Sequence, residues 1–231
     1  SPRGLFTSGD ANHRGLFTSG DANHRGLFAS TTRTTDASCS AITTDASIAS
    51  MSFAASVIEV YVALLSGAGL VIIPDEIKLN HERFSEFVKQ QSVSIALLPP
   101  NYATELSPQN LPLRMLVTAG SSTNWKIVDK WVGHVQYCNV YGCSETATGV
   151  SAYIAGGPRK TKSVPIGTPN ANTQYYLLQA EGGSGEDPLE GELCVAGTCV
   201  ARCYLNQPAL TEQKFIRTLD DKGNNIRVYR T

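Results

Sequence analysis

Seven consecutive residues, Asn139-Val-Tyr-Gly-Cys-Ser-Glu145, bring together an amide, an aromatic ring, a glycine, a hydroxyl and a carboxylate. A core strand needs none of that polar chemistry at its end. A nucleotide site uses all of it: an amide for a base edge, a ring to stack on the base, a hydroxyl for a phosphate, and a carboxylate for a hard cation such as Mg2+. Gly142 lets backbone come close to a ligand. Taken singly, each residue suits a strand-end turn with a surface carboxylate. Their concentration in one short stretch points to chemistry.

The elements that must position this stretch are legible upstream of it. Ser56 to Ser66 is helix-like, with Glu59 and Ser66 breaking an apolar surface. Ala68 to Ile73 is a near-continuous apolar run ended by Pro74, as expected of a strand buried on both faces. His81 to Gln91 spaces Phe84, Phe87 and Val88 as one face of a helix. Val93 to Leu98 is a second buried strand, stopped by Pro99-Pro100, and Arg114 to Thr118 a third. Asn124 suits the cap of a helix running through Trp125, Val128 and Trp131. Val135 to Val140 is the strand that delivers Asn139–Glu145. Strands alternating with helices predict a mostly parallel α/β sheet flanked by helices. Ligands gather at the carboxyl ends of such strands, where Leu97-Leu98, Thr118-Ala-Gly-Ser121 and Tyr141 to Glu145 fall.

The chain reads as three regions. Residues 1–50 form an irregular, repeat-containing segment: Arg3 to His13 recurs unchanged as Arg14 to His24, Arg25-Gly-Leu-Phe28 begins a third copy, and Thr34 to Ser38 recurs as Thr43 to Ser47. These repeats are too short and too few for a solenoid. His13 and His24 invite a metal or acid–base reading, but a verbatim repeat supplies them with no partners. Residues 51–155 are the α/β core. Residues 156–231, with a turn at Gly156-Gly-Pro-Arg-Lys, a strand-like stretch from Val164 to Leu178, a loop from Ala180 to Leu189 and alternation from Gly191 to Leu205, suggest a smaller β-rich subdomain.

Composition bounds the partners. Of 231 residues, 42% are hydrophobic and 17% charged, as in an ordinary globular chain. A formal net charge of −1 gives no footprint for nucleic acid or an anionic membrane. No apolar run approaches the roughly 20 residues that span a bilayer, and no secretory leader pattern opens the chain. The six cysteines form no C-x-x-C pair. Cys194, Cys199 and Cys203 suggest a metal only until the alternation around them is read as strand and turn. Buried or free thiols in a reducing compartment, the cytoplasm by default, are expected instead.

From Met51 to Thr231 the chain resembles an adenylation domain of a nonribosomal peptide synthetase, in the adenylate-forming superfamily that includes acyl-CoA ligases. Ser52-Phe-Ala-Ala-Ser-Val-Ile-Glu59 is similar to the family's S-F-D-x-S-V-x-E, and Asn139–Glu145 to N-x-Y-G-P-T-E. Gly191 to Gly197 resembles G-E-L-x-I-x-G, Val200 to Leu205 resembles x-A-R-G-Y-L, and Val228 to Thr231 the start of Y-R-T-G-D. Ser1-Pro-Arg-Gly4 resembles the tail of the family's phosphate-clamping loop, with Arg3 where Lys is usual. The resemblance therefore implies a piece of the large N-terminal subdomain, without the C-terminal lid and its catalytic Lys, and inactive by itself.

It also implies a reaction: a carboxylic acid (amino, aryl or keto) is activated by ATP and Mg2+ to an acyl-adenylate. The acyl group then passes to the phosphopantetheine thiol of a carrier domain, with condensation domains beside it in the parent protein. On that analogy Asn139 reads the adenine amino edge, Tyr141 stacks on the base, Gly142 lets backbone approach, and Gly120 and Ser121 line the adenine side. Ser144 donates to the α-phosphate and Glu145 helps hold the metal. The acyl pocket falls on Ala54, Ala55, Ile58, Leu97, Val117, Ala119, Val140, Thr148 and Gly149. Of those side chains Thr148 alone offers a hydrogen-bonding group. Members that activate α-amino acids carry Asp at the position of Ala54, and a buried ammonium without its counter-charge costs several kcal/mol. An aryl, keto or hydroxy acid, or an amino acid with its amine displaced, is the expected substrate. An acyl-CoA or aryl-CoA ligase and a silent nucleotide-binding remnant are the alternatives. Two departures stand out: Cys143 in place of Pro, expected to loosen the loop that aims Ser144 and Glu145, and Cys203 in place of Gly, expected to strain the backbone.

Overall fold

The apolar runs read as buried strands share one sheet, but the Ala68–Ile73 run, expected to be buried on both faces, forms a partly exposed edge strand because no described strand pairs with its outer side. The structure is a computed structural model and describes residues 5–7, 44–157, 159, 161–178, 191–220 and 222–231. Arg3, His13, His24, Cys39 and the 180–189 stretch lie outside those residues. Two compact units share the chain: an α/β unit of Arg25–Gly142 and Ser151–Gly167, and a β-rich unit of Ser1–His24, Cys143–Val150 and Thr168–Thr231. Strand β1 (Leu5–Thr7) belongs to the second.

In the α/β unit, β2 (Thr44–Ser47), β3 (Gly69–Ile72), β4 (Ile95–Leu98), β5 (Met115–Thr118), β6 (Gln136–Tyr141) and β7 (Ser151–Ile154) run in the order β3-β2-β4-β5-β6-β7. The first five are parallel and β7 is antiparallel to β6. Strand alternation sorts the side chains to two faces. Ile95 and Leu97, Met115 and Val117, and Cys138 and Val140 enter one apolar cluster; Ala96 and Leu98, Leu116, and Tyr137 enter the other. Both faces are covered, which is why these strands read as continuous apolar runs.

Helix α1 (Ala55–Leu65) lays Ala55 and Ile58 on the first cluster. The second takes Phe84 and Val88 from α3 (His81–Gln90) and Ile127, Val128 and Trp131 from α5 (Trp125–Trp131). Asn80 Oδ1 accepts from the backbone N–H of Glu82 and Arg83, both at 3.0 Å, and Asn124 Oδ1 from that of Ile127 at 3.1 Å, so both helices start on a side-chain cap. Two short helices escape the sequence pattern: α2 (Asp75–Lys78) and α4 (Pro100–Glu105). The diproline that ends β4 does not begin a loop, because Pro100 occupies the first helical position, where its missing N–H is no loss.

Strand β2 corrects the reading of residues 1–50, because Thr44–Ser47 is a parallel strand between β3 and β4. Its residues, Thr-Asp-Ala-Ser, carry no apolar signal. Glu59 is likewise more than a break in a helix surface. It is 1% exposed, and its carboxylate accepts from Ser47 Oγ at 3.0 Å and from the backbone N–H groups of Ile48 and Ala49 at 3.1 Å, pinning the exit of β2. Burial raises the Glu59 carboxyl pKa, and those three donors only partly offset it.

The β-rich unit holds an antiparallel sheet in the order β1-β9-β10-β12-β11, with β9 (Thr173–Leu178), β10 (Glu192–Gly197), β11 (Phe215–Leu219) and β12 (Asn225–Arg230). The stretch read as one strand from Val164 to Leu178 is divided into β8 (Thr168–Pro169) and β9 by a turn with Asn172 at φ 61°. From Gly191 to Leu205 only β10 is strand; a turn follows, and α6 (Pro208–Lys214) precedes β11. Tyr176, Cys194, Ala196 and Val228 form one small core. On Phe215 the rings of Tyr204 and Tyr229 pack at 5.3 and 5.1 Å, with the Arg227 guanidinium over it at 4.7 Å. Among the described residues no helix is long and apolar enough to cross a membrane.

Candidate functional site

Strand β6 carries Asn139, Val140 and Tyr141 to the carboxyl end of the parallel sheet. The boundary between units falls between Gly142 and Cys143, so Asn139, Tyr141 and Gly142 belong to the α/β unit and Ser144 and Glu145 to the β-rich one.

On the α/β side, Asn139 is 6% exposed. Its Nδ2 donates to the carbonyl of Pro165 at 2.9 Å, which leaves the amide oxygen as the group's acceptor. An amide fixed in that sense suits a base edge that donates. Tyr141 is half-buried beside Gly142, and Gly120 and Ser121 are exposed just past the end of β5. Gly120 has φ +86°, a conformation that only glycine adopts at little cost. Below them, Tyr137 Oη shares hydrogen bonds with Thr118 Oγ1 at 2.7 Å and Thr123 Oγ1 at 2.9 Å, tying β5, β6 and the turn after β5 together.

Six of the nine residues carried over for the acyl pocket meet on one face of the sheet: Ala55, Ile58, Leu97, Val117, Ala119 and Val140 share one apolar cluster. Ala54 directly precedes α1 and supplies no side-chain cap. Thr148 and Gly149 belong to the other unit.

On the β-rich side, Ser144–Thr146 is a single 3-10 turn. Cys143 starts it with φ −134°, which proline could not adopt. The Cys143 thiol lies 3.2 Å from Thr146 Oγ1, and its N–H donates to the same oxygen at 3.4 Å. These contacts tie the start of the turn to Thr146, which the replacement of proline alone does not suggest. Burial raises the Cys143 thiol pKa, and with it the thiol stays protonated. The strain expected at Cys203 is absent, since Cys203 is exposed and is not among the residues with positive φ. Strain sits elsewhere, at Ala147 (φ 56°) and Thr148 (φ 73°) in succession. A β-branched residue in that region is a rare conformation, of the kind that collects at functional loops.

Ser144 is exposed and Glu145 half-buried. Glu145 Oε1 accepts from the Tyr204 hydroxyl at 2.6 Å, and the Tyr204 and Tyr229 hydroxyls are 3.3 Å apart. Partial burial works against ionisation of Glu145, but the Tyr204 donor and the neighbouring donors outweigh it and hold the carboxyl below its usual value. An ionised carboxylate with one oxygen tied is a chemically suitable ligand for a hard divalent cation. Sequence reasoning missed Tyr204 and Tyr229 as partners of Glu145. Both lie in stretches that resemble family motifs, but neither motif says where its hydroxyl points.

A parallel sheet with a nucleotide-type motif at its carboxyl end, in a chain that also holds a β-rich unit, defines a class. The family model described as AMP-binding enzyme matches residues 22–205, and the chain belongs to that family. Within it, the chain is 39% identical over 169 residues to gramicidin S synthase 1 of Brevibacillus brevis and 38% identical over 185 residues to tyrocidine synthase 1 of Brevibacillus parabrevis. These matches take in 73% and 79% of the chain but only 15% and 17% of the synthases, so the chain spans a small part of the relatives it matches. Among solved structures it is similar to the N-terminal subdomain of Klebsiella oxytoca NpsA in complex with anthranilyl-AMSN, with a TM-score of 0.66 at 28% identity over 82% of this chain and 49% of that one. It is also similar to PA1221, an NRPS protein containing adenylation and PCP domains, with a TM-score of 0.73 at 25% identity over 82% of this chain and 34% of that one. The resemblance to adenylation domains read from the motifs holds, and so does the expected fold.

Proposed function

We propose that the chain is the nucleotide- and acid-facing part of an enzyme that activates a carboxylic acid with ATP. The acid's carboxylate oxygen attacks the α-phosphorus, the bond to the β-phosphate oxygen breaks, and acyl-adenylate and pyrophosphate result. The thiolate of a carrier domain's phosphopantetheine then takes the acyl group and AMP leaves. The observation that carries this reading is the division of labour along Asn139–Glu145: a buried amide whose Nδ2 is committed to the Pro165 carbonyl, followed by a carboxylate held ionised.

In this reading Asn139 Oδ1 accepts from the adenine amino group, the Tyr141 ring stacks on the base, and Gly120 and Ser121 line its edge. Ser144 donates to the α-phosphate. Glu145 holds Mg2+, whose chemistry is to neutralise phosphate charge as the α-phosphorus is attacked. Ala55, Ile58, Leu97, Val117, Ala119 and Val140 face the acyl group, and Ala54, Thr148 and Gly149 are assigned to the same role by the resemblance. The PA1221 structure, with its adenylation and PCP domains, supports a carrier domain as partner; condensation domains in the parent protein belong to the same reading. The described cysteines, all free thiols, are in keeping with a cytoplasmic enzyme.

The substrate class follows from Ala54. Without a carboxylate there, an α-ammonium has no counter-charge, and an aryl or keto acid is preferred; the anthranilyl group bound to NpsA supports an aryl acid. The test is thermal unfolding of the chain with acyl-sulfamoyl adenosines. An aryl analogue at about 100 times its Kd stabilises by about 2.7 kcal/mol, whereas a phenylalanyl analogue has little effect, and Ala54→Asp reverses that order. No response of the folded chain to any analogue would sink the proposal. A stronger response of the unsubstituted chain to the phenylalanyl analogue would overturn the substrate class alone.

A further inference from the structure

Glu145 is gripped twice from a distant part of the chain. Its backbone carbonyl accepts from the N–H of Ala201 at 2.8 Å, and its Oε1 accepts from the Tyr204 hydroxyl at 2.6 Å. The stretch that supplies both donors is itself fastened within the β-rich unit. Arg227 Nη1 donates to the carbonyl of Ala201 at 2.6 Å, and Nη2 to that of Arg202. The Tyr204 N–H donates to Thr211 Oγ1 at 3.0 Å, Thr211 Oγ1 donates to the carbonyl of Gln207 at 2.9 Å, and the Tyr204 ring rests against Phe215. Behind the Tyr204 hydroxyl stands that of Tyr229, directly across β11 and β12 from Phe215. The backbone and ring of Tyr204 are thus held against Thr211 and Phe215, with its hydroxyl between Glu145 and Tyr229.

We propose that Tyr204, backed by Tyr229, is a positioning residue for Glu145: by donating to Oε1 it fixes the orientation of the carboxylate and disfavours a bidentate grip on a divalent cation. The inference rests on the reading of Glu145 as the residue that holds Mg2+. A free carboxylate can meet a cation through either oxygen or through both. Mg2+ demands near-octahedral geometry and is served by a single, well-aimed oxygen, whereas Ca2+ accepts bidentate carboxylates and irregular shells. A neutral donor on Oε1 tilts that choice in favour of the smaller ion and leaves the negative charge in place. Partners of this kind, one shell out from a ligand, affect metal affinity by about 10–100-fold when removed.

The test is calorimetric titration of ATP into the folded chain at a series of Mg2+ concentrations, with Ca2+ in parallel, for the unsubstituted chain, E145Q, Y204F, Y229F and E145Q/Y204F. Y204F raises the Mg2+ concentration required for tight ATP binding by about 10–100-fold and costs less with Ca2+. E145Q/Y204F is no worse than E145Q, because the two residues act through one oxygen pair. A purely structural tyrosine would lower the unfolding temperature and leave the metal requirement and the Mg2+-over-Ca2+ preference untouched; that result, or full additivity with E145Q, overturns the inference. Should Y204F not fold, Y229F, which keeps the Tyr204 ring in place, is expected to move the Mg2+ requirement in the same direction by less, and no movement counts against the proposal. If E145Q itself leaves the Mg2+ requirement unchanged, the metal reading of Glu145 fails and the inference falls with it. If E145Q acts and Y204F does not, the inference alone fails.

Discussion

A carboxylate with almost no water around it, such as that of Glu59, survives in an apolar unit only if protein donors replace hydration. Ser47, Ile48 and Ala49 do so. Removing the acceptor orphans two backbone N–H groups and a hydroxyl, so Glu59→Ala is expected to lower the unfolding free energy by about 3 kcal/mol in urea titrations. The pH dependence has a definite sign. The folded-state pKa of Glu59 is raised above the unfolded value, so its contribution is fully present below the unfolded pKa and is lost as pH rises through the folded one. The stability difference between the natural chain and Glu59→Gln should therefore shrink on going from acid to neutral pH. A difference that grows would contradict this assignment. Glu145 shows the opposite balance: it is less deeply buried, and its donors win over burial.

Helices in the α/β unit depend on their caps as much as on their apolar faces. Asn80 satisfies two otherwise unpaired N–H groups of α3, and Asn80→Ala is expected to cost about 1 kcal/mol, read as a lower urea midpoint with an unchanged slope. The caps, the apolar runs of β4 to β6 and the spacing of Phe84, Phe87 and Val88 are legible because each is decided by residues close in sequence. What is hidden is decided at a distance. Strand β2 is polar in composition and is a strand because β3 and β4 flank it. Helix α4 is masked by a diproline that equally well ends a strand and starts a helix. Strands β11 and β12 mix polar and apolar residues on a sheet with thin cores. In the candidate site the chemistry of Asn139–Glu145 is legible, while the hold of Tyr204 on Glu145, 59 residues away in sequence, is not. Cys203 misleads for the same reason, since the effect of a replaced residue depends on the φ and partners it finds.

Across the whole molecule stability should be uneven, and amide exchange can map it. Strands β4 and β5 are fully buried and paired on both sides, whereas β3 lies at the sheet edge with Ile72 74% exposed. The slowest amides are expected in Ile95–Leu98 and Met115–Thr118 and the fastest sheet amides in Gly69–Ile72; slowest exchange in the β-rich unit would refute this ranking. Strand β2 occupies an interior slot beside that edge strand, and its residues, Thr44–Ser47, repeat those of Thr35–Ser38. The two stretches are identical in sequence, and in the structure the carboxylate of Glu59 grips Ser47 Oγ and the N–H groups of Ile48 and Ala49. What distinguishes them is the residue that follows: Ile48 packs against the main core, where the other copy would offer Cys39. Burial of Ile48 contributes on the order of 1–2 kcal/mol, so the apolar anchor of β2 is a single side chain just outside the strand itself.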